Sequence, residues 1–262
     1  MRFQSLITGS EGNASILECG ATTILIDCGF PTKKLLNEKI PVDKKIDAIF
    51  ITHDHIDHLS NWTGRFAIEQ NIPVFLHQTH IEKDKARKDS YLDNKNGKVE
   101  TFTIDSGKTL VFKDLNIKIF EGEHCSRSNW TNTQKIKTFG FTFNEKFGYL
   151  TDTGMITNEI KKNLLNVETL ALEVNYDEEM LLKGDRYHDN KLRSYENMGH
   201  LSNIEAFKFC KMLVESGKLK KLIVLHMSET FNTKDIVTEL FAPLNIEIII
   251  ADRNEGTKCI DI

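Results

Sequence analysis

Short apolar runs separated by turn residues occupy the first part of the chain. Three such runs, Phe3–Thr8, Ser15–Cys19 and Thr23–Asp27, are rich in β-branched and apolar residues, and turn residues such as Gly9 and Gly20 lie between them. Runs of this length bounded by glycine are typical of strands joined by tight turns. The pattern therefore predicts a β-meander.

Beyond Pro31 the apolar positions alternate between helical and strand-like spacing. A short helix is predicted after Pro31, and the charged stretch 77–98 is predicted to hold a surface helix and then a turn at Asn96 and Gly97. The other predicted helices span 59–70, 156–164, 177–182, 191–196, 202–216 and 234–240. The other predicted strands span 48–52, 73–76, 99–104, 109–112, 117–121, 138–143, 149–151, 169–174, 222–226 and 246–251. Strands interleaved with helices predict an α/β (α+β) fold, with two sheets facing each other and helices outside, in one domain 1–262.

Composition is that of an ordinary globular protein. Hydrophobic residues make up 40% and charged residues 27% of the chain, which excludes disordered and fibrous classes. Apolar runs are far shorter than the ~18 residues of a membrane span, and the first ten residues lack the apolar core of a signal peptide. We expect a cytoplasmic protein with no membrane segment.

The cysteines and the net charge indicate the redox state of the thiols and the kind of partner the protein can attract. The five cysteines form no Cys-x-x-Cys pair, and their odd number favours reduced thiols over a disulfide framework. The formal net charge is -4, so no global positive field attracts nucleic acid. Any site for a polyanion must therefore be a local patch.

The most informative segment is Thr52–His58, which holds three histidines and two aspartates after a predicted buried strand. In extended backbone, residues two apart point the same way, so His53 and His55 can bind one ion. Asp57 and His58 lie where the chain turns into a helix and can reach a second ion. A polar loop would be the structural alternative, but it does not explain so dense a group of ligands.

Three more candidate ligands follow predicted strands. His124 comes after 117–121, Asp152 after 149–151, and His226 after 222–225. One edge of a sheet would bring such residues together. Carboxylate and imidazole ligands suit Zn, Mn or Fe, and an open coordination position makes such a site catalytic.

These motifs resemble those of the metallo-β-lactamase superfamily. Asp27 resembles its first motif, His53 to His58 its second, His124 its third, Asp152 its fourth and His226 its fifth. The resemblance covers nearly the whole chain. It implies an αβ/βα four-layer sandwich, two mixed β-sheets flanked by helices, with metal ions at one edge.

The resemblance also implies a centre of two divalent ions, Zn or Mn, with Mg or Fe as further options. Asp27 would orient a ligand or a backbone group. The implied ligands are His53, His55 and His124 for one ion, Asp57, His58 and His226 for the other, and Asp152 as a bridge.

Four further motifs resemble the YycJ/WalJ-type nucleases of bacteria. They are Gly9–Asn13, Thr151–Gly154, Glu173–Asn175 and Gly199–Asn203. This resemblance implies 5′-to-3′ exonuclease action on DNA, with a metal-bridging hydroxide as nucleophile. The chain departs from the expected Ser, Asp, His and Pro at Glu11, Cys125, Tyr176 and His188. None of these is an implied metal ligand, so the departures bear on substrate choice.

His200 precedes a helix with Ser202 as predicted N-cap and Glu205 in the capping-box position. A helix start alone explains this pattern, but the resemblance favours a role for His200 at a phosphate or at the leaving oxygen. Ser202, Asn203 and the first helix amides would hold another phosphate. Glu173 either orients a histidine or forms a buried ion pair. Asp57, Asp152 and His200 are thus the candidate catalytic residues.

Other substrate contacts are open between two interpretations. Gly9–Asn13 is either a hairpin turn or a motif that places Ser10 and Asn13 at the rim of the site. A basic group before His200 is either a solvated helical face or a phosphate-binding surface. Its members are Lys183, Arg186, Lys191 and Arg193.

The leading hypothesis is therefore a DNA exonuclease. The alternative is a small-molecule metallo-hydrolase, in particular a cyclic-nucleotide phosphodiesterase, which keeps every catalytic residue. A third hypothesis is a metal-stabilised redox or binding module, against which His55 argues, since flavin-linked relatives need Glu there. The oligomeric state is left open by the sequence.

Overall fold

The computed structural model describes residues 1–41, 43–129, 132–184 and 199–262. They form two compact units, a first unit of residues 1–115 with 252–262 and a second unit of residues 116–251. Throughout these described ranges, every helix is too short or too polar to cross a bilayer. The single domain 1–262 and the cytoplasmic location stay predictions.

Strands and helices alternate along the chain. Strands β1 to β16 span, in order, Arg2–Ile7, Ala14–Cys19, Thr22–Ile26, Ala48–Phe50, Val74–Leu76, Asp93–Asn94, Gly97–Lys98, Thr101–Thr103, Thr109–Phe112, Leu115–Asn129, Asn132–Phe143, Phe147–Leu150, Thr169–Glu173, Lys221–Leu225, Glu247–Ile250 and Ile260–Asp261. Helices α1 to α7 span, in order, Lys33–Lys39, Asn61–Gln70, Gln78–Lys85, Asn158–Leu164, Glu178–Lys183, Asn203–Glu215 and Lys234–Phe241.

The sheet of the first unit has the strand order β16-β1-β2-β3-β4-β5-β8. β1, β2 and β3 are antiparallel neighbours, which confirms the predicted meander, and β3, β4, β5 and β8 run parallel. The carboxyl ends of parallel strands meet at one edge of a sheet. Asp27 follows β3 and the segment Thr52–His58 follows β4, so both lie at this edge.

Six strands of the second unit pair in the order β15-β14-β13-β12-β11-β10. β10 and β11 form a long antiparallel hairpin, whereas β12, β13, β14 and β15 run parallel. Asp152 follows β12, Glu173 ends β13 and His226 follows β14. The parallel order again gathers the candidate residues at the carboxyl edge of a sheet.

Helices cover each sheet and complete its core. In the first unit, Leu36 of α1 and Phe66 of α2 share a buried cluster with Ile49 of the sheet. In the second unit, Phe209 of α6 packs in a buried cluster with Leu172 of β13. Apolar burial of this kind contributes roughly 25 cal/mol per Å² and fixes the helices on the sheets. The structure thus confirms the predicted mixed sheets flanked by helices.

The hairpin β10–β11 corrects one prediction. The sequence pattern places His124 after a strand that ends at Glu121, whereas His124 lies inside β10, opposite Ile136. The ladder continues through polar residues because strand pairing satisfies the main-chain groups whatever the side chains are. The predicted helix 191–196 lies outside the described residues.

Candidate functional site

Three of the candidate residues have left-handed backbone at the ends of parallel strands. The φ angle is 59° at Asp27, 52° at Asp152 and 51° at His226. Left-handed backbone is uncommon for residues other than glycine and costs of order 1–3 kcal/mol unless surrounding contacts impose it. Such conformations cluster at functional sites, and here all three lie at the carboxyl edges of the sheets.

Asp27 organises the histidine segment of the first unit. Its carboxylate accepts hydrogen bonds from the Thr52 amide at 2.8 Å and from the Thr52 hydroxyl at 2.9 Å, and it lies 2.8 Å from His58 Nδ1. Asp27 and His58 are fully buried. Burial raises the pKa of the Asp27 carboxyl above its ordinary value, and the contacts with His58 and Thr52 offset this only in part.

The contact with Asp27 also sets the tautomer of His58. When Nδ1–H donates to Asp27, Nε2 is left as the nitrogen that can bind an ion. His53 Nε2 and His55 Nδ1 lie 2.9 Å apart, close enough for both to contact one ion. The described donors of this cluster are imidazole and carboxylate groups, which fit Zn or Mn.

Asn13 is buried beside this cluster instead of standing at a rim. Its Nδ2 lies 3.2 Å from Asp57 Oδ2 and 2.9 Å from His58 Nε2, while its Oδ1 accepts from the Gly9 amide at 2.9 Å. Asn13 therefore connects the turn after β1 to the segment Thr52–His58. Ser10, in the same turn, is exposed and lines a pocket together with Asp57.

Gly29 lies shortly after β3 and allows the chain there to approach the segment Thr52–His58 closely. A Cβ atom at this position would lie 1.7 Å from the main-chain oxygen of Asp57. The neighbouring amide of Cys28 donates to the carbonyl of His58 at 3.0 Å. Only glycine fits at this distance, so packing against Asp57 explains why position 29 is a glycine.

Asp54 fastens the histidine segment to the region around α3. Its carboxylate lies 3.3 Å from Lys83 Nζ, and its carbonyl accepts from Arg87 Nη2 at 3.0 Å. His80, which the charge pattern predicts at the surface, is fully buried with Nε2 3.9 Å from Asp54 Oδ1. The sequence motif contained Asp54, but only the packing of α3 shows what this carboxylate does.

The second unit holds a cluster of four groups. One ligand atom from each of Asp152, Glu173, His200 and His226 lies within 4.8 Å of the others. Glu173 is fully buried and contacts both histidines, with Oε2 2.7 Å from His200 Nδ1 and 3.1 Å from His226 Nδ1. Its Oε1 accepts from the amide of Leu201 at 2.9 Å.

Glu173 is ionised by its neighbours. Burial alone would raise its pKa, but the charge that His200 can carry and the hydrogen bonds from His200 and His226 hold the pKa of this carboxyl below its ordinary value. An ionised carboxylate accepts hydrogen bonds from both Nδ1 groups. The Nε2 atoms of His200 and His226 are then the ring nitrogens left for chemistry.

His124 is oriented in the same way by a main-chain group. Its Nδ1 lies 2.6 Å from the carbonyl oxygen of Gly199, so Nδ1–H donates and Nε2 is the ring nitrogen that could bind an ion. Asn175, the last residue of the motif Glu173–Asn175, donates to the carbonyl of His226 at 2.7 Å. Both contacts depend on residues distant in sequence, and the motif spacing does not reveal them.

The remaining predicted substrate contacts have other partners. Ser202 is the buried N-cap of α6 and donates to Glu178 at 2.9 Å, and Asn203 exchanges hydrogen bonds with Asn232. Lys183 is exposed and pairs with Glu179 at 2.7 Å. The other members of the basic group lie outside the described residues; they are Arg186, Lys191 and Arg193.

Comparison with known proteins identifies the family. The family description "Beta-lactamase superfamily domain" matches residues 22–227. Exodeoxyribonuclease WalJ of Streptococcus pneumoniae is 27% identical over 242 residues, which cover 90% of this chain and 84% of that protein. Exodeoxyribonuclease YycJ of Bacillus anthracis is 23% identical over 263 residues, covering 98% and 91%. The metallo-beta-lactamase fold protein YhfI from Bacillus subtilis has a TM-score of 0.70 at 18% identity, covering 98% of this chain and 99% of that chain.

The family match spans most of the chain and contains both clusters described above. The fold implies divalent metal ions, and the imidazole and carboxylate donors at the two sheet edges fit that requirement. The chain therefore belongs to the beta-lactamase superfamily, as a metal-dependent hydrolase with the metallo-β-lactamase fold and a relative of the YycJ/WalJ group.

Proposed function

We propose that this hydrolase is a phosphodiesterase with two divalent ions, and that its substrate is DNA, which it degrades as a 5′-to-3′ exonuclease. The observation that carries the proposal is the buried carboxylate of Glu173, which orients His200 and His226 together. One oriented histidine suits proton transfer and the other suits metal binding. The names of the two relatives, both exodeoxyribonucleases, support DNA as the substrate.

The assignment of ligands follows the order of the sequence motifs. It is supported by the contacts at Nδ1 of His58, His124 and His226, which favour the tautomer with an unprotonated Nε2 that can bind an ion. His58 Nε2 lies 2.9 Å from Asn13 Nδ2, and an ion would replace this contact. When bound, divalent ions supply an activated water and neutralise charge on the phosphoryl oxygens. The proposed ligands are His53, His55 and His124 for one ion, Asp57, His58 and His226 for the other, and Asp152 for both.

His200 is proposed to protonate the leaving oxygen. Its side chain is 26% exposed, so substrate can reach it, while Nδ1 is held by buried Glu173 at 2.7 Å. A histidine held through one ring nitrogen by a carboxylate can present a proton on the other. Asp57 and Asp152 complete the proposed catalytic set as carboxylates beside the ligand histidines.

An end-labelling assay tests this function. Single-stranded DNA carrying a fluorophore at either the 5′ or the 3′ end is incubated with the protein in Mn²⁺ or Zn²⁺. A 5′-to-3′ exonuclease releases the 5′ label at once in a mononucleotide, whereas the 3′-labelled strand shortens gradually. Chelation with EDTA is expected to stop both reactions.

Two results would contradict the proposal in different ways. Immediate release of the 3′ label would reverse the polarity, while intact DNA together with rapid cleavage of a cyclic nucleotide would favour the alternative phosphodiesterase. Asp152→Asn is expected to be inactive on every substrate. Glu239→Gln, which removes the same charge from an exposed position of the second unit, is the matched control with full activity.

A further inference from the structure

Two neighbouring pockets lie on the first unit, and together they are called the groove. One, of about 270 Å³, is lined by residues that include Asp57, Ile56 and Trp62. The other, of about 470 Å³, is lined by residues that include Arg65, Lys88 and Lys95. Asn61 and Tyr91 line both pockets, so the pocket beside Asp57 and the pocket with the three basic residues are neighbours.

We infer that this groove binds single-stranded DNA as it leaves the metal-ligand segment, with bases against Trp62 and Tyr91 and phosphates against Arg65, Lys88 and Lys95. The inference rests on the proposed function and names the path of its substrate. Double-stranded DNA stacks its bases internally, so only an unpaired strand can place bases against aromatic side chains in a groove.

An arginine guanidinium lies over each of the two aromatic rings. The guanidinium of Arg65 lies 4.7 Å from the Trp62 ring centroid, and that of Arg87 lies 4.6 Å from the Tyr91 ring centroid. Bases stack on aromatic rings and on guanidinium planes alike. The Arg65–Trp62 pair therefore offers a stacking surface with positive charge beside it. The charge of Arg87 is balanced by Asp54 and Asp84, whose carboxylates lie 4.0 and 3.8 Å away, so Arg87 supports the Tyr91 ring without adding positive charge.

The cations of the groove are available for phosphates. Arg65, Lys88 and Lys95 form no ion pair with any residue in the described ranges. Two acids, Asp89 and Asp93, line the same pocket as the three cations, so that cations exceed acids there by one. The other pocket adds two acids, Glu11, which lies 3.6 Å from Arg253, and Asp57, a proposed metal ligand. Because a phosphate avoids carboxylates, the backbone is expected to follow the three cations, and the bases the aromatic wall.

The wall of the groove is held in place before any ligand binds. The buried carboxylate of Asp84 accepts from Ser90 Oγ at 2.5 Å, from the Tyr91 amide at 2.9 Å and from the Leu92 amide at 3.2 Å. Helix α2 approaches the same segment at Gly64, where a Cβ atom would lie 1.6 Å from the Tyr91 carbonyl oxygen. A wall fixed in this way binds a strand with little ordering cost.

Binding measured in EDTA separates the groove from hydrolysis. The probe is a fluorescein-labelled oligothymidylate, and its affinity is measured by anisotropy over a range of salt concentrations. For single strands the log-log salt slope is about -0.7 per phosphate contact. The double variant Lys88→Ala with Lys95→Ala is expected to flatten the slope by about 1.4 and to weaken binding at low salt. Lys218→Ala with Lys258→Ala removes two exposed lysines that do not line the groove and is the matched control.

Photocrosslinking locates the bases directly. An oligonucleotide containing 5-iodouracil is irradiated with the protein, and the crosslinked peptide is identified by mass spectrometry. We expect attachment at Trp62 or Tyr91. Trp62→Phe should keep binding because it keeps an aromatic face, whereas Trp62→Leu should weaken it.

The outcomes distinguish this inference from the proposed function. An unchanged salt slope in the Lys88 and Lys95 variant, or a crosslink outside the groove, would refute DNA binding in the groove even if the protein degrades DNA. Failure of the wild-type protein to bind the oligonucleotide would overturn it as well. DNA bound in the groove but not hydrolysed with any divalent ion would leave the groove standing and refute the nuclease.

Discussion

Candidate site residues with left-handed backbone lie at the ends of parallel strands, where contacts with neighbouring side chains hold this backbone conformation. At Asp27 the strained backbone is held by hydrogen bonds to Thr52 and by the contact with His58. At His226 it is held by Asn175, which donates to the His226 carbonyl, and by Glu173. In each case a hydrogen-bonded side chain offsets a local cost of about 1–3 kcal/mol.

Asp27→Asn tests the orientation of His58. An amide in this place keeps the shape but not the charge that holds Nδ1–H, so we expect metal affinity to fall about 10–100-fold. Affinity is measured by competition with a coloured chelator. Asp47→Asn, which removes another buried carboxylate of the first unit, should leave affinity unchanged. Equal affinity in the Asp27 variant and the wild type would show that Asp27 serves only the fold.

His200→Ala tests proton transfer at the leaving oxygen. We expect metal content to persist while turnover on DNA falls by roughly 10²–10⁴, the range for a positioned general acid. Turnover is compared between DNA and a 4-nitrophenyl phosphodiester, whose leaving group needs no proton. The loss should be much smaller on the second substrate. Loss of metal from the variant would instead identify His200 as a ligand.

At the scale of elements, the position of α2 depends on one glycine. Gly64 lies in the middle of the helix, where alanine would ordinarily stabilise by about 1 kcal/mol. Here the added Cβ would lie 1.6 Å from the Tyr91 carbonyl oxygen. Because this oxygen belongs to the main chain, the helix or the Tyr91 segment would have to shift to relieve the clash. The clash should outweigh the helix propensity.

Gly64→Ala is therefore expected to destabilise the protein by roughly 1–3 kcal/mol, as overpacking does elsewhere. The free energy of unfolding is measured by urea denaturation. Glu69→Ala, at an exposed position of the same helix, should change it by less than about 0.5 kcal/mol. Stabilisation by Gly64→Ala would show that α2 can move away from Tyr91 without loss.

The elements and the candidate ligand segment Thr52–His58 can be recognised from sequence because both follow local patterns. The meander follows from apolar runs between turn residues, and Thr52–His58 stands out through its composition alone. The contacts that orient the candidate histidines are not local. Asp27 meets His58 across 31 positions and Glu173 meets His200 across 27, contacts that exist only once parallel strands align.

Two residues show where pattern reasoning fails. His124 lies within a hairpin whose polar residues give no apolar alternation, so its strand cannot be recognised by periodicity. His80 belongs to a charged stretch but is buried, because α3 turns it toward Asp54. Pattern rules use only the sequence around a residue. The positions of His124 and His80 depend instead on pairing with β11 and on packing beside Asp54.

At the scale of the whole molecule, the chain contains two compact units, and among the side chains that the structure describes each unit has a buried thiol. Cys28 is fully buried in the first unit and Cys210 in the second. Burial raises the pKa of Cys28 to about 12 and that of Cys210 also above its ordinary range. Because thiolates are the reactive form, both cysteines should resist thiol reagents until their surroundings open.

These thiols test whether residues 1–262 unfold as one domain. The experiment uses variants in which Cys19, Cys125 and Cys259 are serine and either Cys28 or Cys210 is also serine, so that one buried thiol remains. Labelling by a thiol reagent is followed at increasing urea concentration. If the chain is one cooperative domain, both thiols should become reactive at the same midpoint and with the same dependence on urea, since one global opening exposes them. Midpoints that differ between the two variants, in the absence of a difference in the variants' overall stability, would instead show two units that unfold separately.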